Sequence, residues 1–353
     1  MELATKPNFR ETKERWRAFW SREVLDRPIC LITGPRFGMN PPERPPYMAE
    51  AIEDPVRVAE GVCAAAEGRF WLGEAIPERD PSFGPDQYAA FLGGKLERAP
   101  DAIATSWSVP VIESWHDAPP LRLDPKNAIW QKMLKVAETY ARVGEGRFLV
   151  SVIDLHSNMD ALSGLRGPQQ LMLDLHDCPE MIDKAMAEAR ATYQPVYDGL
   201  FAASKMDERG SVAMGMYCDG KHAIVQSDVI CMLSPEQFRR WVLPALEEET
   251  SFLDHSVMHY DGPGALVHLD DVLALPKLDI IQWVPGAGAA PLPEWMDLYR
   301  RIQRAGKAVV LWGSADEIKH FHRELRPDLV VYNTYAGSEQ EAEALLAWLE
   351  RHT

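Results

Sequence analysis

Apolar residues along the chain fall into short runs, and longer segments of helical period separate these runs. Eight runs are almost continuously apolar, as in "RPICLITG", "DIIQWV" and "AVVLWG". Runs of this kind are typical of strands in a parallel sheet that is covered on both faces. The eight predicted strands are residues 27–34, 69–76, 148–155, 211–218, 256–261, 279–284, 308–313 and 329–333.

The segments between the strands carry helix signals. The clearest is "SPEQFRRWVLPALEEETSFL", where Ser234 is the predicted N-cap, Pro235 takes the first helical position and Gln237 closes a capping box. Further helices are predicted over residues 177–204, 293–305 and 338–352. Eight strands alternating with helices predict an α/β fold, a (β/α)8 or TIM barrel.

Two stretches interrupt the alternation. Residues 35–54 are rich in proline, and residues 77–127 show no long helical pattern. Insertions after early strands of a barrel commonly build a lid or one wall of the pocket. We therefore expect a single domain over residues 1–353, with loop insertions after the early strands.

The charge balance and the cysteines narrow the class of protein. The formal net charge is −16, from 53 acidic and 37 basic side chains, which disfavours nucleic acid as a partner. No apolar stretch approaches the roughly 20 residues of a membrane span, so we expect a cytoplasmic protein. Five cysteines without a C-x-x-C pair indicate reduced thiols.

Catalytic groups of such barrels gather at the carboxyl ends of the strands. His259 and Asp261 end one predicted strand two residues apart, so both side chains project from the same face. Together they are suited to serve either as two ligands of Zn²⁺ or as an acid/base pair. A structural alternative is a hydrogen-bonded barrel histidine followed by an aspartate that caps the Gly-rich turn.

Two other strand ends add candidates of the same kind. Asp154 and His156 repeat the two-residue spacing, and His156 is a candidate acid/base or orienting group. Cys218 and Asp219 end the predicted strand 211–218, where the thiol is a candidate metal ligand close to His259 and the carboxylate a candidate catalytic group. In the structural alternatives, Cys218 is a small, buried apolar residue, and Asp154 and Asp219 only form turns.

Other residues at strand ends or in the insertions suit substrate binding rather than catalysis. Tryptophan faces can line a pocket, and arginine and asparagine can bind a carboxylate or another polar group. The candidates are Arg36, Trp107, Trp283, Trp312 and Asn333. The sequence lacks the glycine-rich motifs of nucleotide and phosphate sites.

Several segments give the chain a resemblance to the uroporphyrinogen decarboxylase superfamily, which also contains zinc- and cobamide-dependent methyltransferases. They are "DALSGLRGPQQLMLDLHDCPEMIDKAM", "MLSPEQFRRWVLPALE", "HYDGPGALVHLDDVLALPKLDIIQWVPG" and "LVVYNTYAGSEQEAEALL". The resemblance implies the same (β/α)8 barrel. The arginine-rich signature that grips carboxylates in the decarboxylase is reduced here to "TGPRFG" with Arg36.

In the methyltransferase branch, a His-x-Cys strand end and a later cysteine bind zinc. His259 falls on that histidine, Asp261 replaces the first cysteine, and Tyr332 and Asn333 stand near the position of the second. The resemblance therefore implies zinc with a changed ligand set of His259, Asp261 and Cys218. It also implies a corrinoid supplied by a partner protein and, by analogy with dimeric relatives, a homodimer.

The leading hypothesis from the sequence is a methyltransferase-like enzyme that acts on a small molecule together with a corrinoid protein. In this hypothesis His259 and Asp261 hold a metal or polarise the methyl-bearing atom. The alternative enzyme is a metal-free decarboxylase or lyase acting on a small carboxylate, which Arg36 would bind. The non-enzymatic alternative is a barrel that only binds a ligand or docks on a corrinoid protein.

Overall fold

A computed structural model describes residues 2–39, 53–98 and 105–353. Within these ranges the chain forms a mixed α/β fold around one large sheet. The strands are β1 (Ile29–Pro35), β2 (Arg69–Gly73), β3 (Glu78–Arg79), β4 (Lys95–Glu97), β5 (Trp107–Val109), β6 (Leu149–Val150), β7 (Ser211–Ala213), β8 (Met216–Cys218), β9 (His222–Val225), β10 (His255–Asp261), β11 (Ile280–Val284), β12 (Ala308–Trp312) and β13 (Val330–Tyr335).

The large sheet has seven strands in the order β2-β1-β13-β12-β11-β10-β9. All neighbouring pairs are parallel except β1 and β2, which run antiparallel. Short ladders join β3 to β6, β4 to β5 and β7 to β8. Six predicted strands are thus confirmed within a residue or two at most boundaries, but the expectation that the second one is parallel is wrong.

The predicted strand at residues 211–218 is a hairpin. β7 and β8 are antiparallel and meet at Met214 and Gly215, whose φ angles of 53° and 76° reverse the chain. Glycine adopts such angles without steric cost, which permits the tight turn here. The second neighbour of β10 in the sheet is β9, a segment that contains none of the eight predicted strands.

The side chains on one face of the parallel strands pack into an inner core. Leu31, Val257, Ile280, Val310 and Val331 belong to one cluster, together with Leu149 and Val212 from β6 and β7. Phe9, Trp16 and Phe19 of the first helix pack into the same cluster. The ladders of the described residues record a seven-stranded sheet and not a closed ring of eight parallel strands.

Helices pack on the outer face of the sheet, around a second and larger apolar cluster. The α-helices are Phe9–Trp20, Pro55–Glu67, Gln87–Phe91, Ala128–Val143, Asn158–Arg166, Pro168–Asp177, Pro179–Ala203, Met206–Arg209, Pro235–Gln237, Leu243–Phe252, Leu269–Leu273, Met296–Arg304, Ala315–His322 and Glu339–His352. The 3-10 helices are Asp228–Met232, Pro263–His268, Leu292–Trp295 and Pro327–Leu329. Within the described ranges, each helix is too short or too polar to cross a bilayer.

The helix predicted from Ser234 begins there with the capping box formed by Ser234 and Gln237. A π-helical turn, Phe238–Val242, follows before the α-helix resumes. Pro244 has no N–H to donate four residues back, which accounts for the irregular turn.

The two predicted insertions are described only in part. Most of residues 35–54 lies outside the described residues, as do residues 99–104. The second insertion contains the β4–β5 hairpin and the short helix Gln87–Phe91. The single domain over 1–353 stays a prediction.

Candidate functional site

The carboxyl ends of β10 and β11 place two polar side chains side by side. His259 pairs with Gln282 across the ladder, and the Nδ1 atom of His259 lies 2.7 Å from Oε1 of Gln282. An amide oxygen only accepts hydrogen bonds, so Nδ1 donates to it and Nε2 is the ring nitrogen left free to face a ligand. Asp261 follows on the same face of β10, partly exposed. This strand pair offers one imidazole nitrogen and one carboxylate to a ligand.

Asp154 lies beyond the short strand β6 and is held by two neighbours. Gln226 Nε2 donates to its Oδ1 at 2.6 Å, and His156 Nε2 lies 3.0 Å from its Oδ2. Desolvation opposes ionisation of Asp154, but the hydrogen bond and charge of His156 outweigh it and hold the pKa of the carboxyl below its usual range. The carboxylate is therefore charged at neutral pH while 44% of its side-chain surface stays exposed.

His156 lies among three carboxylates. Besides Asp154, its Nδ1 lies 3.3 Å from Asp160 and 3.8 Å from Asp228. Desolvation lowers the pKa of His156, but the hydrogen bonds to Asp154 and Asp160 overcome this effect and raise it to about 11. His156 is thus an imidazolium at neutral pH, so it orients Asp154 and cannot serve as a general base.

Asp160 anchors the loop that follows β9. Its carboxylate accepts from the Ser227 hydroxyl at 3.2 Å, from the Asp228 amide at 2.9 Å and from the Val229 amide at 3.3 Å. These bonds fix the chain just beyond Gln226, which holds Asp154. The contacts of Asp160 are accordingly those of a structural carboxylate.

The two predicted pairs, Asp154 with His156 and His259 with Asp261, come to the same end of the sheet. Val225 pairs with Met258, so Gln226 is the next residue along and lies beside His259. The charge of His259 also lowers the pKa of Asp154. Gln226 therefore joins both pairs into one polar group, which we call the strand-end group and define as Asp154, His156, Gln226, His259, Asp261 and Gln282.

A cavity of about 390 Å³ opens on the same face of the sheet. Trp312 and Asn333 line it, as do Thr33 and Trp71 from β1 and β2. Trp312 pairs with Asn333, and Asp261 pairs with Val284 on β11, the strand that neighbours β12. With neighbouring strands about 4.8 Å apart, Asp261 lies about 10 Å from the strand that carries Trp312. Trp312 and Asn333 thus lie in the wall of the cavity, and their role in binding stays a prediction.

Cys218 and Asp219 lie at the opposite end of the sheet. They end β8, which precedes β9, and β9 begins with His222 paired to His255 at the start of β10. His259 is four residues further, about 13 Å along the strand at 3.3 Å per residue. The expectation that Cys218 lies close to His259 is wrong, because residues 211–218 form a hairpin instead of one strand.

Asp219 belongs to an ion pair at this amino-terminal end. Its Oδ2 lies 2.6 Å from Arg17 Nε on the first helix, and the Tyr217 hydroxyl donates to its Oδ1 at 3.0 Å. Desolvation opposes ionisation, but Arg17 and Tyr217 lower the pKa of Asp219. Burial raises the pKa of the Cys218 thiol to about 12. Neither residue adjoins the strand-end group.

The remaining predicted binding residues are scattered. Trp283 is 2% exposed and packs against Tyr260 and Trp295 on the outer face, because it alternates with the inward Gln282. Trp107 is 41% exposed on the β4–β5 hairpin. Arg36 directly follows β1, and its backbone amide donates to Gly68 at 3.0 Å. None of the three lines the cavity.

Glu249 lies behind the strand-end group and was not a sequence candidate. It is fully buried, and its Oε1 accepts from the Ser157 hydroxyl at 2.6 Å and from Asn158 Nδ2 at 3.2 Å. Burial raises its pKa to about 8, so the carboxyl is mostly protonated at neutral pH. Asn158 adopts a φ of 47°, an uncommon conformation that these bonds hold in place.

The expected zinc ligands do not assemble. His259 and Asp261 share a face, but Cys218 is at the other end of the sheet. Cys231 lies on the 3-10 helix after β9, and desolvation with the charges of Asp228 and Asp261 raises its pKa and disfavours a thiolate. Among the described residues, the ligand atoms of His156, Asp160 and Asp228 do lie within 4.8 Å of one another, but loop amides already occupy Asp160. A thiolate-containing zinc site does not fit these residues.

Comparison with known proteins shows a likeness of fold. The sequence matches no family model and no curated protein. A solved structure, a methyltransferase from Methanosarcina mazei, superposes with a TM-score of 0.65 over 96% of this chain and 98% of its own, at 14% sequence identity. The chain therefore shares its overall fold with this methyltransferase.

Proposed function

We propose that the protein is an enzyme that transfers a methyl group to or from a small molecule held in the cavity beside the strand-end group. The observation that carries the proposal is the convergence of His259, Asp261 and Asp154 on one end of the sheet, next to a cavity of about 390 Å³. The fold resembles that of a solved methyltransferase over nearly the whole chain. We also propose that the strands close into a barrel, since Val152 of the segment after β6 donates to Val212 of β7 at 2.7 Å.

His259 and Asp261 would serve the reacting atom. When a methyl group leaves an oxygen, nitrogen or sulfur atom, that atom keeps the bonding electrons and needs a proton. The Nε2 atom of His259 is the ring nitrogen left free by the bond to Gln282, so it can take a proton from solvent and deliver it to the leaving atom. Asp261, on the same face, can stabilise positive charge on the substrate.

Asp154 and His156 would act as a fixed charge pair. Gln226 and His156 hold the Asp154 carboxylate ionised and oriented, which lets it bind a hydrogen-bond donor or a cationic centre of the substrate. His156 is a positioning residue, because both of its ring nitrogens face carboxylates. Trp312 lines the pocket and excludes water from one wall.

The methyl carrier would be a corrinoid on a partner protein. A cavity of about 390 Å³ suits a small molecule, and the corrinoid, held by its carrier protein, would approach the opening. A reduced corrinoid would supply a cobalt centre that accepts the methyl group. Zinc takes no part in the proposal, because the expected thiolate ligand is at the other end of the sheet.

A second candidate is a metal-free decarboxylase or lyase that acts on a small carboxylate. It is favoured by Arg69, which lines the cavity and makes no ion pair with any described residue, although the sequence had pointed to Arg36. A guanidinium at that position can bind a carboxylate whichever reaction follows. The two candidates therefore differ in the bond that breaks and not in the binding site.

The two reactions can be separated directly. Wild-type protein is incubated with cob(I)alamin and a panel of small N-, O- and S-methyl compounds, and the formation of methylcob(III)alamin is followed by absorbance. We expect methylcob(III)alamin with at least one compound and its loss in His259→Ala. Release of carbon dioxide from carboxylates, without methylcob(III)alamin from any compound, would reject methyl transfer in favour of the second candidate.

A further inference from the structure

The cavity is lined by a set of polar side chains that is separate from the strand-end group. Arg69, Thr33 and Asn333 all line it. Across the described residues, none of the three side chains has a hydrogen bond or an ion pair. All three are partly exposed, so their donors face the cavity or its opening.

The strand register places these three side chains along one face, with Thr33 midway between the other two and about 7 Å along the strands from each. Leu31 pairs with Asn333, Thr33 pairs with Trp71, and Pro35 pairs with Arg69. Paired residues project from the same face, and Leu31 and Thr33 share a face because they are two residues apart. Asn333, Thr33 and Arg69 therefore project into the cavity from three neighbouring strands, β13, β1 and β2.

Apart from Arg79 and Glu78, which carry opposite charges, the rest of the lining around this set is apolar. Leu31, Val62, Ile76 and Met214 contribute aliphatic surface, and Trp71 and Trp312 contribute two indole rings. Glu78 is the carboxylate of the lining, and the Ser151 hydroxyl donates to it. A ligand that fills the cavity and pairs with its polar side chains needs two features: an apolar body, and one group that accepts hydrogen bonds from a guanidinium, a hydroxyl and an amide.

We propose that Arg69, Thr33 and Asn333 form a carboxylate-binding subsite and that the ligand is a small, flat organic carboxylate whose apolar body lies between Trp71 and Trp312. A guanidinium binds the two oxygens of a carboxylate through parallel N–H bonds, and the hydroxyl and amide N–H groups add further donors. One arginine balances the single charge of a carboxylate. The assignment of this ligand as the substrate rests on the proposed function, whereas its binding does not.

Benzoate and benzamide are suitable probes because they differ in charge and hardly in shape. Their affinities are measured by isothermal titration calorimetry on the full-length protein. We expect wild type to bind benzoate at least about tenfold more tightly than benzamide, as a charge-assisted hydrogen bond contributes over 1.4 kcal/mol, which is tenfold in affinity. Arg69→Gln should reduce benzoate binding to the level of benzamide.

Two further variants test whether the loss of benzoate binding could come from misfolding or from a change in net charge. Arg122→Gln removes an exposed arginine outside the cavity and should leave both affinities unchanged. Asn333→Asp places a negative charge in the subsite and should weaken benzoate selectively while benzamide still binds.

The subsite is overturned if wild type does not prefer benzoate, including the case in which neither probe binds, or if Arg69→Gln keeps the preference. Methyl transfer from a neutral compound, with no preference for benzoate, would reject the subsite and leave the proposed function standing. Tight benzoate binding that depends on Arg69, with no methyl transfer from any compound, would support the subsite and reject the proposed function.

Discussion

His259 Nδ1 lies 2.7 Å from Gln282 Oε1 on the neighbouring strand, and this contact determines which ring nitrogen remains available to a ligand. Gln282→Leu removes the acceptor and should lower kcat about tenfold by releasing the ring orientation. Gln282→Glu keeps an acceptor against Nδ1 and should retain more of the rate than Gln282→Leu. Trp283→Phe, on the opposite face, is the matched control and should leave kcat unchanged.

The imidazolium of His156 should make stability fall as the solution becomes alkaline. Its pKa in the folded protein is about 11, above the ordinary value of 6.5. Its stabilising contribution is therefore complete below pH 6.5 and is lost as the pH rises through 11. His156→Gln should flatten the decline in the free energy of unfolding between pH 8 and 10, measured by urea denaturation. An unchanged slope would contradict the charged histidine.

Glu249 should act on stability over a lower range of pH. Its folded pKa of about 8 exceeds the ordinary 4.5, so the folded state holds its proton more tightly and loses stability as the pH rises from 4.5 through 8. Glu249→Gln keeps a neutral, hydrogen-bonding group. We expect equal stability of variant and wild type at pH 5 and a more stable variant at pH 9, by about 1 kcal/mol or more. A variant that is less stable at pH 9 would refute a buried protonated carboxyl.

The separation of Cys218 from His259 predicts weak zinc binding. Elemental mass spectrometry on protein purified without chelator should find well under one zinc per chain, since His259 and Asp261 lack the expected thiolate. Cys218→Ala should leave the zinc content as it is. One zinc per chain, lost in both His259→Ala and Asp261→Ala, would show that a third ligand completes the site.

The sequence predicted the strand ends well where the strands are long and regular. β10, β11, β12 and β13 follow the apolar runs, so His259, Asp261, Trp312 and Asn333 were found from their positions after these runs. Asp154 and His156 were found by the same rule although only two residues before them are paired as a strand. Strand ends are predictable because side-chain alternation and the carboxyl-end rule are local.

The errors came from features that are not local. The turn at Met214 and Gly215 lies inside an apolar run, so the run read as one strand and Cys218 was assigned to the wrong end. Gln282 and Trp283 are adjacent, so only one can face the site, and only the register with His259 shows which. Arg69 lies at the start of an antiparallel strand, where the carboxyl-end rule does not apply.

The most direct test of the account compares the two ends of the sheet. The rate of methyl transfer is measured for His259→Ala, at the carboxyl end, and for Asp219→Asn, which removes a charge from the ion pair with Arg17 at the amino end. Both sites were sequence candidates, and the second variant should fold normally because an exposed ion pair contributes only about 0–1 kcal/mol. We predict a loss of about 100-fold or more in His259→Ala and a rate within about twofold of wild type in Asp219→Asn. A large loss in Asp219→Asn with His259→Ala still active would place the chemistry at the other end of the sheet and contradict the account.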